Sequence, residues 1–170
     1  MKILIASDFH GSLDNLKRLK KQSLKEKVDK HIFLGDIYYG GYSNYDEFDK
    51  LIKSFEYLYV IEGNCDSDLD VECSGLGFVE HYGFTFNDKE IYCTHGNKFN
   101  INNYPQENFD IMFYGHTHKK MIIKDNNKIF ANPGSIGRPR DDCSSYIIMD
   151  DDYIYIKDLD GNILNVEKWN

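Results

Sequence analysis

The sequence predicts an α/β fold: a parallel sheet with crossover helices, followed by a run of antiparallel strands. Three observations predict it. Short apolar runs alternate with amphipathic stretches from Met1 to Ile61. Each of those runs stops at Asp, His or Asn residues close to a glycine. Beyond Gly77 the chain becomes a series of short extended pieces separated by turns.

Ile3 to Ala6 is an unbroken apolar run, as a strand buried on both faces requires, and Asp8, Phe9, His10 and Gly11 follow it. Ser12 stands as the N-cap of a helix that carries Leu13, Leu16, Leu19 and Leu24 as a stripe among lysines. Ile32, Phe33 and Leu34 make a second strand ending at Gly35 and Asp36. After the loop GGYSNYDE (40 to 47), Phe48, Leu51, Ile52 and Phe55 mark a second helix. Tyr57 to Ile61 is a third strand, which runs out at Gly63, Asn64, Cys65 and Asp66. In a parallel sheet the C-terminal strand ends share one rim, where open α/β sheets place their ligands.

Ser67 to Gly77 reads as an irregular piece. Phe78 to Phe86, a turn at Asn87 and Asp88, and Glu90 to Thr94 read as an antiparallel hairpin ending at His95 and Gly96. Asn97 to Asn108 is rich in asparagine and reads as a loop. Ile111 to Tyr114 is a strand that feeds Gly115, His116, Thr117 and His118. Met121 to Lys124, a turn at Asn126 and Asn127, and Lys128 to Ala131 lead into NPGS (132 to 135). Tyr146 to Met149, Tyr153 to Lys157 and Ile163 to Trp169 read as a meander belonging to a second sheet packed on the first.

A chain of 170 residues is the size of one domain, residues 1–170, with a substantial core and no room for a separate capping domain. The formal charge of -8 argues against a stable nucleic-acid partner or an anionic membrane surface. The N-terminal apolar run is far short of a signal-peptide core or the roughly 20 residues of a membrane span, so a cytoplasmic location is expected. Cys65, Cys73, Cys93 and Cys143 show no C-x-x-C spacing, and reduced thiols are expected.

Asp8 and His10, two apart beyond a strand, can offer a carboxylate oxygen and an imidazole nitrogen to one divalent cation. Asp36 at a buried strand end is costly unless paired or metal-bound, although a helix N-cap explains it equally well. Asn64 brings an amide oxygen, or is an ordinary turn residue after Gly63. His95, His116 and His118 add three imidazoles, and a lone histidine is more often hydrogen-bonded than ligating. The coincidence carries the argument. Seven candidate ligands fall at predicted strand ends, and five of them sit beside a glycine. His31 at a strand start and His81 inside the hairpin lack that context and are read as ordinary histidines.

In order, SDFHG, LGDIYYG, IEGNCD, CTHG, YGHTH and NPGS resemble the signature of the calcineurin-like metallophosphoesterase superfamily, over Met1 to about Asp150. GNCDSDLD and the short chain are similar to its YfcE-type bacterial and archaeal phosphodiesterases. The resemblance implies a four-layer αββα sandwich, two mixed sheets flanked by helices, carrying two divalent ions. Manganese is the expected metal, with Fe, Ni²⁺, Zn²⁺ and Mg²⁺ as alternatives. Asp8, His10 and His118 would hold the first ion, Asn64, His95 and His116 the second, and Asp36 would bridge them. His116 and His118, two apart on an extended chain, could then face one rim and serve neighbouring ions.

The implied reaction is hydrolysis of a small phosphodiester by a bridging hydroxide, with Asp36, Asn64 and His95 nearest the chemistry and metals about 3.5–4 Å apart. Many members carry histidine after GN, whereas this chain has Cys65, as the YfcE-type group does. A thiol with a reference pKa of about 8.5 is a poor substitute for an imidazole acid, so good leaving groups should be favoured. Arg138 and Arg140 are candidate phosphate contacts. The rival reading is a non-catalytic interaction scaffold like the retromer subunit of this fold. Those relatives swap the Asp and Asn of the GD and GN motifs, and Asp36 and Asn64 keep the catalytic order. A homo-oligomer is compatible with either reading.

Overall fold

The computed structural model describes residues 1–39 and 45–170. Residues 40–44, the first part of the GGYSNYDE loop, lie outside the described residues.

The chain opens with β1 (Ile3–Ala6), α1 (Leu13–Glu26), β2 (Lys30–Phe33), α2 (Asp46–Ile52), β3 (Leu58–Ile61), α3 (Asp68–Ser74) and β4 (Phe78–Val79). It continues with β5 (His81–Phe86), β6 (Lys89–Thr94), β7 (Ile111–Tyr114), β8 (Lys120–Asp125), β9 (Lys128–Pro133), β10 (Ser145–Met149), β11 (Tyr153–Asp158) and β12 (Ile163–Lys168). One sheet has the order β12-β11-β10-β1-β2-β3-β4 and the other β5-β6-β7-β9-β8. Both are mixed. β1 to β4 are parallel while β10 joins β1 antiparallel, and β6, β7 and β9 are parallel between antiparallel edges.

The two sheets pack face to face. Ile3, Ile5, Ile32, Ile147 and Ile154 from the first meet Ile91, Cys93, Ile111, Phe113 and Ala131 from the second. The other face of the first sheet, with Leu4, Phe33, Val60 and Ile148, receives Leu16 and Leu19 of α1 and Phe48 and Ile52 of α2. The outer face of the second sheet is covered differently. Tyr92, Met112, Tyr114 and Phe130 pack under Phe99, Ile101 and Phe109, which belong to the irregular stretch between β6 and β7. The sandwich is the one expected, with that stretch as its fourth layer in place of a helix among the described residues.

Several elements differ from the sequence reading. The C-terminal meander extends the first sheet instead of forming the second, because β10 is buried on both faces and lies beside β1. The stretch read as one strand from Phe78 is two: β4 pairs with β3, and the chain crosses to the second sheet at Glu80. α3 lies in the piece read as irregular. Its signal was the capping box of Ser67 and Asp70, obscured by few apolar residues and an exposed Leu69. Leu24 leaves the α1 stripe, being about 140° round the helix from Leu19, and is 68% exposed. Ser12 occupies the α1 N-cap without a side-chain capping bond. Phe55 is buried, yet beyond the end of α2. No helix among the described residues is long and apolar enough to cross a membrane.

Candidate metal centre

All seven candidate ligands follow strands of the two sheets. Asp8 and His10 follow β1, Asp36 follows β2 and Asn64 follows β3, while His95 follows β6 and His116 and His118 follow β7. The loops are tied together by backbone. Asp8 N–H donates to Gly35 C=O at 3.0 Å, His10 N–H to Asp36 C=O at 2.9 Å, and Gly115 N–H to His95 C=O at 2.8 Å.

Five of the seven, Asp8, His10, Asp36, His116 and His118, have left-handed backbones with φ between 47° and 64°. Such conformations cost on the order of 1–3 kcal/mol each for non-glycine residues and persist where the surroundings over-determine them. Here they turn the side chains back over the strand ends. His116 and His118 are therefore not two residues of an extended chain, as their spacing suggests, but both sit in a tight turn. His116 nevertheless faces His95, with ring centroids 5.2 Å apart, and His118 faces His10 at 5.0 Å.

The neighbouring glycines have a steric cause. A Cβ on Gly63 would overlap the backbone nitrogen and carboxylate of Asp36, and one on Gly115 would overlap the Ser7 hydroxyl and reach Asp8 Oδ2 at 2.8 Å. Only bare backbone lets β3 and β7 approach the two aspartates so closely.

Asp8, His10, Asp36 and His118 each offer a ligand atom, all within 4.8 Å of one another. His118 Nε2 lies 3.3 Å from His10 Nε2 and 3.2 Å from Asp8 Oδ1, and His10 Nε2 is 3.8 Å from Asp36 Oδ2. On the other side, Asp36 Oδ1 is 3.3 Å from His95 Nε2, which is 3.1 Å from Asn64 Oδ1. The two oxygens of Asp36 thus face different imidazoles.

The ring hydrogen bonds decide what these contacts mean. His95 Nδ1 donates to Leu34 C=O at 2.7 Å and His118 Nδ1 to Arg138 C=O at 2.6 Å, since a carbonyl can only accept. In the neutral rings both Nε2 atoms then carry lone pairs aimed at oxygens. Lone pairs converging in this way need a proton or a cation between them, so the donor set fits divalent metal. Asp8 Oδ1 and His10 Nδ1 are buried with no hydrogen-bond partner among the described residues. Contact with Asp8 holds His118 above the usual imidazole value, whereas burial lowers His10 and His116.

Supporting groups extend outward. Ser135 Oγ donates to Asp8 C=O at 2.8 Å and Asn132 Nδ2 to Gly115 C=O at 2.8 Å, so NPGS braces both histidine-bearing and aspartate-bearing loops from behind. Asp66, which the motif reading passed over, accepts from Gly63 N–H and Tyr38 N–H at 2.9 Å each, and burial pushes its carboxyl up to about 6. Its signal was an aspartate three residues after a glycine, a spacing suited to gathering turn N–H groups. Cys65 donates its N–H to Asp36 Oδ1 at 2.8 Å, and burial followed by the Asp36 charge pushes its thiol up to about 11.

A cleft of about 590 Å³ includes His10, Asp36, Asn64, His116 and His118 in its lining, together with Tyr39, Cys65, Arg138 and Arg140. A second cavity of about 380 Å³ adjoins it at Asn64 and includes His81 and Tyr92. His31 lies elsewhere, buried between Ser23 Oγ at 2.6 Å and Glu56 C=O at 2.7 Å. His81 is exposed and stacks on Tyr92 at 5.3 Å.

Known proteins resemble this chain to different extents. A model of the calcineurin-like phosphoesterase superfamily domain matches residues 1–152. Phosphodiesterase YfcE of Escherichia coli strain K12 is 28% identical over 167 residues, covering 92% of this chain and 91% of the relative. Probable metallophosphoesterase YsnB of Bacillus subtilis strain 168 is 30% identical over 148 residues, covering 82% of this chain and 78% of the relative. The solved structure of the E. coli phosphoesterase YfcE superposes with a TM-score of 0.88 at 26% identity, over 100% of both chains. Vacuolar Protein Sorting 29 of Cryptosporidium parvum shares the fold alone, with a TM-score of 0.67 at 23% identity over 98% of this chain and 95% of that one. With the family model covering most of its length and its motifs gathered on one rim, the chain belongs to the calcineurin-like phosphoesterase superfamily.

Proposed function

We propose that residues 1–170 form a single domain acting as a metal-dependent phosphodiesterase on small diesters, with a dinuclear centre bridged by Asp36. Asp8, His10 and His118 would hold one ion, and Asn64, His95 and His116 the other. The observation that carries this reading is the division of Asp36. Its Oδ2 lies 3.8 Å from His10 Nε2 and its Oδ1 3.3 Å from His95 Nε2, so the two oxygens of one buried carboxylate meet different imidazoles.

Divalent ions held there, with Mn²⁺ the favoured species, would supply Lewis-acid polarisation of the phosphoryl oxygens and an acidified water as nucleophile. The chain's own groups do the remaining work. Leu34 and Arg138 carbonyls fix the tautomers of His95 and His118, so that each Nε2 presents its lone pair inward. Cys65 N–H holds Asp36 Oδ1 in place, and Asn64, at the open edge of the cleft, is positioned to steer a phosphoryl oxygen. Cys65 offers the leaving oxygen only a weak acid, which favours leaving groups that depart without help.

Metal-depleted protein restored separately with Mn²⁺, Mg²⁺, Ni²⁺, Zn²⁺ or Fe²⁺ should regain hydrolysis of an aryl phosphodiester and show less on the matching monoester. No turnover with any metal would favour the scaffold reading.

A further inference from the structure

Three arginines occur in this chain of net charge -8. Arg18 is paired with Asp160 at 2.9 Å on the surface. Arg138 and Arg140 line the cleft of the metal centre, and neither has a carboxylate within ion-pair distance among the described residues. Two unpaired guanidinium groups at one mouth of an acidic protein imply an anionic occupant.

Their placement is fixed by the centre itself. His118 Nδ1 donates to Arg138 C=O at 2.6 Å, and Arg140 N–H donates to His118 C=O at 3.0 Å. The segment that carries both arginines is thereby laced to a candidate ligand. Tyr39 is the shelf. Its ring meets His10 edge-on with centroids 5.7 Å apart, and the Arg138 guanidinium lies over it, 3.6 Å from the centroid. The cation therefore sits one aromatic ring away from the imidazole that faces Asp36.

A phosphodiester carries a single negative charge at the reacting group, and the proposed ions already meet it. Two further permanent charges in the cleft, that of Arg138 set back across Tyr39, exceed what that group needs. We infer that Arg138 and Arg140 form a subsite for a second anionic group on the substrate, so that the physiological diester carries a phosphomonoester beyond the scissile bond. Such a group brings a charge of about -1.5 to -2 at neutral pH and oxygens that match the guanidinium fork. The inference rests on the diesterase reading and adds the substrate class to it.

The test compares thymidine 5′-(4-nitrophenyl phosphate) with the same compound bearing a 3′-phosphate. The leaving group and reacting diester are identical, and only the extra phosphate differs. The expected kcat/KM ratio favours the phosphorylated compound about tenfold, through KM and less so at high salt. Arg138→Met and Arg140→Met should each cut the ratio, the double variant should bring it near one, and Arg18→Met should leave it unchanged. A ratio near one in the wild type, or one that survives in the double variant, overturns the inference while leaving the diesterase reading intact. Absence of turnover on both compounds would count against the diesterase reading instead. Calorimetric binding then decides the subsite alone: thymidine 3′,5′-bisphosphate should bind about tenfold tighter than thymidine 5′-monophosphate, and equal binding refutes it.

Discussion

The two halves of the candidate metal centre are built unequally. Asp8, His10 and His118 crowd together with one oxygen of Asp36, all ligand atoms lying within 4.8 Å. The half around Asn64, His95 and His116 shares the other oxygen of Asp36 and presents the neutral amide of Asn64 where the first half has Asp8. The halves also come from both sheets, three residues from loops of the second and four from loops of the first. The first half, with Asp8 beside its oxygen of Asp36, should therefore bind a cation more tightly than the second. Asp36 turns one oxygen toward each half.

The largest effect should follow removal of that common group. Asp36→Ala should lower diester kcat/KM by at least about a hundredfold, the upper end of what losing an outer partner of a ligand costs, and should lower metal content in parallel. Full activity in this variant, measured by steady-state kinetics and metal analysis together, would dissolve the comparison by removing its bridge.

The glycines sharpen the comparison half by half. Gly63→Ala forces a Cβ into Asp36, and Gly115→Ala forces one into Ser7 and Asp8. Each should cost about 10- to 100-fold in activity, as disturbed outer support typically does. Gly77→Ala, with nothing within 4 Å of the added carbon, should leave kinetics unchanged. Equal behaviour of all three would contradict the close-approach explanation.

Cys65→His should act at the open edge of the cleft. Restoring an imidazole acid should raise turnover of an alkyl diester relative to an aryl diester, by less than the roughly hundredfold of a fully effective general acid. An unchanged alkyl-to-aryl ratio would remove the leaving-group argument.

The smallest effect lies outside both halves. Burial lowers His31 from its ordinary 6.5, and the ring sits between Ser23 Oγ and Glu56 C=O. A histidine depressed on folding contributes stability that is fully present above the unfolded value and lost as pH falls toward the folded one. The Tm should therefore drop as pH falls from about 7 to about 5, and His31→Gln should flatten part of that slope. An identical slope in the variant would place the acid sensitivity elsewhere.

The rim was legible from sequence because each cluster combines an apolar run with a ligand-type residue near glycine, and strand burial and close approach impose both. The positions of Asp8 and Asp36 needed no more than that. The sheet to which β10 belongs was not legible, because a doubly buried strand looks the same in either sheet. α3 escaped because its stability rests on a capping box instead of an apolar stripe. The reach of Asp66 to Tyr38 N–H and the Tyr39–Arg138 stack were hidden for another reason. Their roles arise from contacts between segments that no local pattern encodes.

The most direct measurement is anomalous diffraction at the manganese edge from crystals grown with Mn²⁺. The account predicts two anomalous peaks flanking Asp36, with His118 on one ion and His116 on the other. A single peak, or both histidines on one ion, would contradict it.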